Sequence, residues 1–136
     1  MSAVDAVIEY VWPQDFTDGV PPEEAIPANG KVFRLVKAIP PKEDDFLQHN
    51  IEKPNYPYRD ERARKKGYGV SLWNTLHKVK RAGKNYPAPE QLGEWLIASG
   101  ELVAELGVIY KSKNGHISLW KQLGAEPHLH IKNQER

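Results

Sequence analysis

The Asn114-Gly115 pair limits the fold of this chain more than any other feature, because it lies between two runs that alternate apolar and polar residues. Asn-Gly is the strongest short-range signal for a β-hairpin, since both residues tolerate the positive φ angles of a two-residue type I′ turn. The runs 102–113 and 116–121 are therefore predicted to be antiparallel strands of one sheet.

The length of the loop sets which residues face each other across the hairpin. With a two-residue loop, Lys113 opposes His116 and, farther along, Ile109 opposes Trp120. Opposed residues share a face. One face is expected to be the core side, with Val108, Tyr110, Ile117 and Leu119. The other is expected to be polar and aromatic, with Ile109, Lys111, Lys113, His116, Ser118 and Trp120.

The second hairpin strand repeats a pattern found earlier in the chain. Residues 69–73 read Gly-Val-Ser-Leu-Trp and residues 116–120 read His-Ile-Ser-Leu-Trp. If both strands share a sheet, Ser71 and Trp73 lie on the same face as Ser118 and Trp120. We predict a binding face there: the rings stack on a base or a nicotinamide, and Lys111, Lys113 and His116 meet phosphate. The alternative is that helices cover this face and the rings pack in the core.

Composition bounds the class of protein. A chain of 136 residues is near the commonest size of a single domain. Its net charge of +1 excludes a general attraction to nucleic acid or membrane, so any electrostatic argument must be local. The absence of cysteine excludes disulfide scaffolds and thiolate metal sites. No targeting segment or membrane-length apolar run is visible, which predicts a soluble cytoplasmic protein with no membrane partner.

Proline usage divides the chain. Eight of the eleven prolines precede residue 58, so 1–57 is predicted to be a loop-rich half, 58–132 a regular β-α-α-β-hairpin half and 133–136 a tail of one domain spanning 1–136. The predicted strands are 4–12, 31–39, 68–73, 102–113, 116–121 and 128–131, and the predicted helices are 74–82 and 89–99, with a short helical start at Glu43. The fold class is α+β: a single small domain with a mostly antiparallel sheet of five or six strands and two or three short helices.

Basic residues are concentrated in one segment. Residues 59–84 contain nine of the nineteen lysines and arginines. Four of them are candidates for phosphate contacts: Arg62, Arg64, Lys65 and Lys66. The alternatives are a solvated loop and, for the later cations of the segment, a favourable position near a helix C-terminus.

Three residues are candidates for transfer or hydrolysis chemistry on a nucleotide. Arg34 would hold a phosphate, Ser71 would orient the sugar, and His116 would bind the ligand or transfer a proton. The order of Arg34, Ser71 and a late Glu101 or Glu105 resembles the layout of small ADP-ribosyltransferase-like domains, which implies a compact mixed sheet holding NAD. The chain departs from the arginine-specific type, because Glu101 and Glu105 lack the close spacing of its acidic signature.

No metal or cofactor is identified by a motif. His128 and His130 share one face of a predicted strand, but no pattern supplies a third ligand, so we expect surface histidines and no metal. The glycines match no phosphate-binding loop, and the cofactor stays unknown.

Three functions remain open. The first is binding of a phosphate-bearing ligand, either a nucleotide or a nucleic acid, on the Trp/Ser/Lys face and the basic segment. The second is a small nucleotide-using transferase with the layout described above. The third is an accessory protein that contacts a protein partner through its proline-rich half.

Overall fold

The computed structural model describes residues 8–84 and 95–135, and within them seven strands form one antiparallel sheet. The strands are β1 (Ile26–Pro27), β2 (Gly30–Val36), β3 (Val70–Trp73), β4 (Leu96–Leu102), β5 (Gly107–Lys111), β6 (His116–Lys121) and β7 (Ile131–Glu135). Their order across the sheet is β1-β5-β6-β3-β2-β4-β7. The domain is thus α+β, as predicted, but with seven strands rather than five or six.

Short helices accompany the sheet. Within the described ranges they are α1 (His49–Glu52), α2 (Glu61–Lys66) and α3 (Leu76–Lys84), with 3-10 turns at Glu43–Phe46, Ala104–Leu106 and Pro127–Leu129. Asp60 begins α2 as its N-cap, because its carboxylate accepts a 2.9 Å hydrogen bond from the amide of Ala63. None of these helices is both long and apolar enough to cross a membrane.

The sheet is strongly curled. Only Ala28 and Asn29 join β1 to β2, although three other strands lie between these two in the sheet order. In a flat sheet β1 and β2 would be about 19 Å apart, because neighbouring strands are about 4.8 Å apart. The three peptide links from Pro27 to Gly30 reach at most about 11 Å. The sheet therefore curls until β1 returns to the start of β2, and β1, β2, β3, β6 and β5 enclose a barrel-like interior.

The core has an inner and an outer part. The inner cluster fills the curl with aliphatic side chains, among them Val32, Val70, Leu72, Ile109, Ile117 and Leu119. On the outer face, Val79 of α3 packs with Phe33 and Ile97. A second outer cluster is formed by Val20, Val108 and Trp120, against which Tyr10, Trp12 and Phe16 of the N-terminal segment pack. Among the described residues, these two clusters cover parts of the outer face.

Several predicted boundaries are wrong. Residues 96–99 of the predicted helix 89–99 belong to β4, while residues 89–94 lie outside the described residues. The reason is tertiary: β4 pairs with β2 along its whole length and with β7 on its other side. Residues 8–12 of the predicted strand 4–12 are not in a strand. The last strand is 131–135, so it occupies most of the predicted tail.

The predicted strand 102–113 is also interrupted. A 3-10 turn at Ala104–Leu106 separates β4 from β5, and Gly107 follows it with a φ of +146°. That φ is open to glycine at little cost. It lets the chain leave one strand and enter the next at a sharp angle.

The hairpin register differs from the prediction by one residue. The loop has three residues, Lys113 to Gly115, because the amide of Ser112 donates to the carbonyl of His116 at 2.8 Å. Gly115 has a φ of +91°, which is typical of a type I turn followed by a left-handed glycine. Tyr110 therefore pairs with Ser118 rather than with Leu119.

A shift of one residue in the β5–β6 register places every β5 side chain on the opposite face from the one predicted. Val108 and Tyr110 consequently join Ser118 and Trp120 on the outer face. Lys111, which was predicted to lie there, alternates to the opposite side of the strand.

Candidate functional site

The repeated Ser-Leu-Trp strands share a sheet, and within it they are neighbours. Ser71 lies opposite Ser118 and Trp73 lies opposite His116, so all four side chains share the outer face. The indole of Trp73 and the imidazole of His116 meet edge to face, with 4.9 Å between ring centroids. Two strands that are distant in the sequence thus form one continuous polar and aromatic strip.

Ser71 and His116 form the closest polar pair of this strip. Ser71 Oγ and His116 Nε2 share a hydrogen bond of 2.5 Å. Burial, with smaller electrostatic contributions from the nearby Lys66 and His49, lowers the pKa of His116 to about 4. The imidazole is therefore neutral at pH 7 and, like other neutral imidazoles, can accept a proton from a hydroxyl group.

A second histidine lies near this pair. His49 Nδ1 and the hydroxyl of Tyr58 share a 2.6 Å hydrogen bond, and the His49 ring meets Tyr56 edge to face. The backbone amide of His49 donates to the carbonyl of Gly69, which anchors α1 beside the start of β3. Burial lowers the pKa of His49 and raises that of Tyr58, so both groups are held in their neutral forms.

Next to the strip, α2 and the outer face enclose a cavity of about 170 Å³, which we call the cationic cavity. Its lining residues are Pro22, Glu24, Arg62, Lys65, Lys66, Tyr110 and Trp120. Three of the cations predicted to contact phosphate thus converge on one space.

Tyr110 organises two of these cations. Arg62 Nη2 donates to the Tyr110 hydroxyl at 2.7 Å, and the guanidinium lies 5.4 Å from the ring centroid. Lys66 Nζ lies 5.0 Å from the same centroid and donates to Ser112 Oγ at 3.4 Å. Cation–π contacts of this kind favour both charged groups over the ring. They hold the two cations at the cavity without neutralising them.

Trp120 fastens α2 to the sheet. Its indole Nε1 donates to the carbonyl of Lys65 at 3.0 Å, and its side chain is fully buried, with 0% exposure. The predicted stacking of a ligand on this ring is therefore wrong, because no ring face is accessible. Trp73 is only partly buried. The alternative that a helix covers the face and the ring packs in the core thus describes Trp120, whereas part of the Trp73 side chain is exposed to solvent.

The other predicted binding residues lie outside this cavity. Arg64 does not line the cavity and forms a bidentate ion pair with Glu61. Its Nε and Nη2 atoms donate to the two carboxylate oxygens of Glu61, each at 2.7 Å. Lys113 is exposed in the hairpin loop. Ser118 is on the predicted face but is only 1% exposed. Lys111 is on the other side of β5, where its ammonium lies 3.5 Å from Asn29 Oδ1.

Arg34 has a structural role. Its side chain is buried and donates to the carbonyls of Asp45 and Ser71, both at 2.7 Å, and to the carboxylate of Glu52 at 3.1 Å. All three nitrogens of the guanidinium are therefore engaged by the protein. The predicted phosphate contact of Arg34 is not available in this arrangement.

The transferase-like layout is not assembled either. Glu101 lies opposite Lys31, on the strand beyond β2 from Ser71. Glu105 is exposed in the 3-10 turn before β5. Arg34 and Ser71 are in contact, but through the backbone carbonyl of Ser71 rather than its hydroxyl.

The histidine pair near the C-terminus does not lie on a strand. His128 belongs to a 3-10 turn and His130 follows it, so the alternation predicted for the two rings is lost. Within the described residues, no three side chains of the metal-binding types lie close enough together to hold an ion.

Tyr110 is the main site residue that the sequence analysis placed wrongly. A two-residue loop puts it on the core side, whereas the three-residue loop puts it under Arg62 and Lys66. The signal was present in the Asn-Gly pair, which also occurs in three-residue loops with glycine in the left-handed position. The position of Glu24 at the cavity could not be predicted, because the loop that contains Glu24 has no regular alternation of apolar and polar residues.

No protein family model, no curated protein and no solved structure matches this chain.

Proposed function

We propose that this protein binds a phosphate-bearing ligand and holds one phosphate group in the cationic cavity. The observation that supports the proposal is the convergence of Arg62, Lys65 and Lys66 on a single cavity with one carboxylate, Glu24, in its lining. Three cations and one anion leave a net positive site on a protein whose overall charge is only +1.

The chemistry of the lining suits a phosphate. Arg62 offers a planar fork that matches two phosphate oxygens, and the two lysines offer point charges. The recorded ion pairs of the described residues do not include these three cations. A bound phosphate would therefore not have to displace an internal salt bridge.

The size of the cavity limits what enters it. At about 170 Å³ it is smaller than the roughly 300–1,000 Å³ of sites that enclose a whole small molecule. It accommodates a phosphate group, while the sugar and base of a nucleotide would lie outside it. The proposed ligand is a nucleotide or a nucleic acid that is held by its phosphate. The cytoplasmic location is a separate prediction, which rests on the amino-acid composition.

Binding of AMP, measured by calorimetry and by tryptophan fluorescence, tests the proposal. We expect Lys66→Ala and Arg62→Ala each to weaken binding about tenfold or more, because a charge-assisted hydrogen bond contributes about 1.5–3 kcal/mol. Lys132→Ala is the matched control, since Lys132 is an exposed lysine of β7 at the far edge of the sheet. Equal affinities for all four proteins, or no binding by the unmodified chain, would overturn the proposal.

A second candidate function is hydrolysis or group transfer on the bound nucleotide. The specific observation in its favour is the 2.5 Å hydrogen bond between Ser71 Oγ and the neutral imidazole of His116. In such a pair the serine oxygen attacks a phosphorus atom of the nucleotide and the bond from that phosphorus to its leaving group breaks, while the imidazole takes the hydroxyl proton and passes it to the leaving group. Water then cleaves the phosphoserine, which restores the hydroxyl. Incubation with ATP or NAD, followed by chromatography of the products, tests this candidate. Turnover that survives Ser71→Ala in a folded protein would remove Ser71 from the chemistry.

A further inference from the structure

The curl of the sheet creates a second cavity, at one open end of the barrel-like interior. We call it the mouth cavity, and its volume is about 150 Å³. It is lined by Asn29, Gly30, Lys31, Asn74, Lys111, Ser112, Gly115 and Ile117. These residues come from the link between β1 and β2, the start of β2, the position after β3, the end of β5, the hairpin that follows it and β6. The mouths of β-barrels are common places for ligand sites.

The lining of the mouth cavity is rich in hydrogen-bond donors. The lining residues include two lysines, Lys31 and Lys111, two asparagines, Asn29 and Asn74, and one serine, Ser112. The Lys111 ammonium lies 3.5 Å from Asn29 Oδ1, whereas the Lys31 ammonium lies 5.4 Å from the ring centroid of Phe33. None of its lining residues within 8–84 and 95–135 carries a carboxylate. A cavity with two cations and no acidic side chain favours an anion by the same electrostatic argument as the cationic cavity.

The two cavities adjoin each other across β5. Tyr110 lines the cationic cavity and the next residue, Lys111, lines the mouth cavity. Successive residues of a strand point to opposite faces, so the cavities lie on the two sides of the same strand. Lys66, which lines the first cavity, donates to Ser112, which lines the second.

The edge of β5 between the cavities has no neighbouring strand in the part of the chain that the structure describes. β1 pairs with β5 only at Val108 and Ile109. Tyr110, Lys111 and Ser112 extend beyond that pairing. Residues 110 and 112 are about 7 Å apart along an extended strand. A chain molecule can therefore pass around this edge, whereas one phosphate group cannot occupy both cavities.

We propose that the ligand is a chain of linked phosphates, with one phosphate in the cationic cavity and another in the mouth cavity, crossing the free edge of β5 at Tyr110–Ser112. The inference rests on the proposed function and narrows its ligand class. An oligonucleotide and an inorganic polyphosphate share this chemistry. Each phosphate neutralised by a lysine releases counterions, so binding weakens with salt.

The test compares three probes: inorganic phosphate, inorganic polyphosphate and a short oligothymidylate. Each is titrated against the unmodified chain, Lys66→Ala, Lys111→Ala and the control Lys132→Ala at several salt concentrations. We expect Lys111→Ala to weaken polyphosphate or oligothymidylate about tenfold, by a larger factor than it weakens inorganic phosphate, and to lower the salt slope by about 1. Lys111 is exposed, so the variant should fold, and thermal unfolding checks this.

The outcomes separate the two proposals. Equal affinity of Lys111→Ala and the unmodified chain for both chain probes, with Lys66→Ala weakening all three, overturns the inference and leaves the proposed function standing. No binding of any probe, or binding that is insensitive to Lys66, overturns both. With the Lys111 effect present, tighter binding of oligothymidylate identifies a nucleic-acid strand, and tighter or equal binding of polyphosphate identifies the phosphate chain alone.

Discussion

At the scale of single residues, His116 shows how burial changes chemistry. Its imidazole is packed against Trp73 and hydrogen-bonded to Ser71, and the positive charge of Lys66 lies nearby. Adding a proton would place another charge in a poorly solvated position. The strip therefore combines a hydroxyl with an imidazole that stays neutral across the physiological range.

This burial makes stability depend on pH. The pKa of His116 falls from 6.5 to about 4 on folding, so the unfolded chain binds more protons between these values. The contribution is fully present above pH 6.5 and is lost as the pH falls to 4. We expect the free energy of unfolding to decrease by about 3 kcal/mol over this range from His116 alone. Urea unfolding at several pH values, compared with His116→Gln, measures it; the same slope in both proteins would contradict it.

Arg34 is a buried arginine whose side chain makes three hydrogen bonds within the protein. It bridges β2, β3 and α1 through two carbonyls and the carboxylate of Glu52. We expect Arg34→Met to lower the free energy of unfolding by about 3 kcal/mol, because it leaves buried acceptors without a donor.

Glu52→Gln is the matched control for Arg34. Glu52 is about one-third exposed, so water can replace part of the interaction. We expect a loss of about 1 kcal/mol or less, measured by urea unfolding at neutral pH. A loss in Glu52→Gln as large as that in Arg34→Met would show that the ion pair, rather than the two carbonyl bonds, carries the effect.

At the scale of elements, the hairpin loop decides the site. Its three residues place Tyr110 with Ser118 and so bring a ring under Arg62 and Lys66. The alternation of each strand was predictable because side-chain direction has a period of two. The pairing between strands was not, because the Asn-Gly pair suits loops of two or three residues.

The two loop types differ in how much stability a substitution of Asn114 or Gly115 should cost. In a two-residue type I′ turn both central residues have positive φ, whereas here Gly115 does and Asn114 does not. We expect Gly115→Ala to destabilise the protein by about 1–2 kcal/mol. Asn114→Ala should cost less, since it removes only the 3.1 Å bond from the His116 amide. Thermal unfolding compares the two variants, and equal losses would contradict the three-residue loop.

At the scale of the whole molecule, the proline-rich half is part of the folded body. The rings of Tyr10, Trp12 and Phe16 stack in sequence, and the last meets Tyr68 edge to face. Tyr10 also donates to the carbonyl of Ala104 at 2.9 Å. This segment covers the Trp120 cluster, so a role as a separate arm for partner proteins would compete with its packing.

Deletion of residues 1–25 tests this account. We expect the shortened chain to lose cooperative thermal unfolding, because the deletion exposes Val108 and removes the aromatic cover of the outer cluster. Circular dichroism during heating measures the transition. A cooperative transition at an unchanged midpoint would mean that the segment is dispensable for folding and free to act as a binding arm.

Periodicity and charge are local properties, so the α+β class, the alternation within each strand and the cations near residues 62–66 could all be predicted from the amino-acid sequence. Long-range contacts were needed to show that residues 96–99 belong to a strand paired on both sides, that Tyr110 faces outward and that the Arg34 guanidinium is fully hydrogen-bonded within the protein. These outcomes depend on partners distant in the chain. Pairing on both edges overrides helix propensity, and a single left-handed glycine shifts a whole register. The two cavities are formed by strands and loops that these long-range pairings bring together.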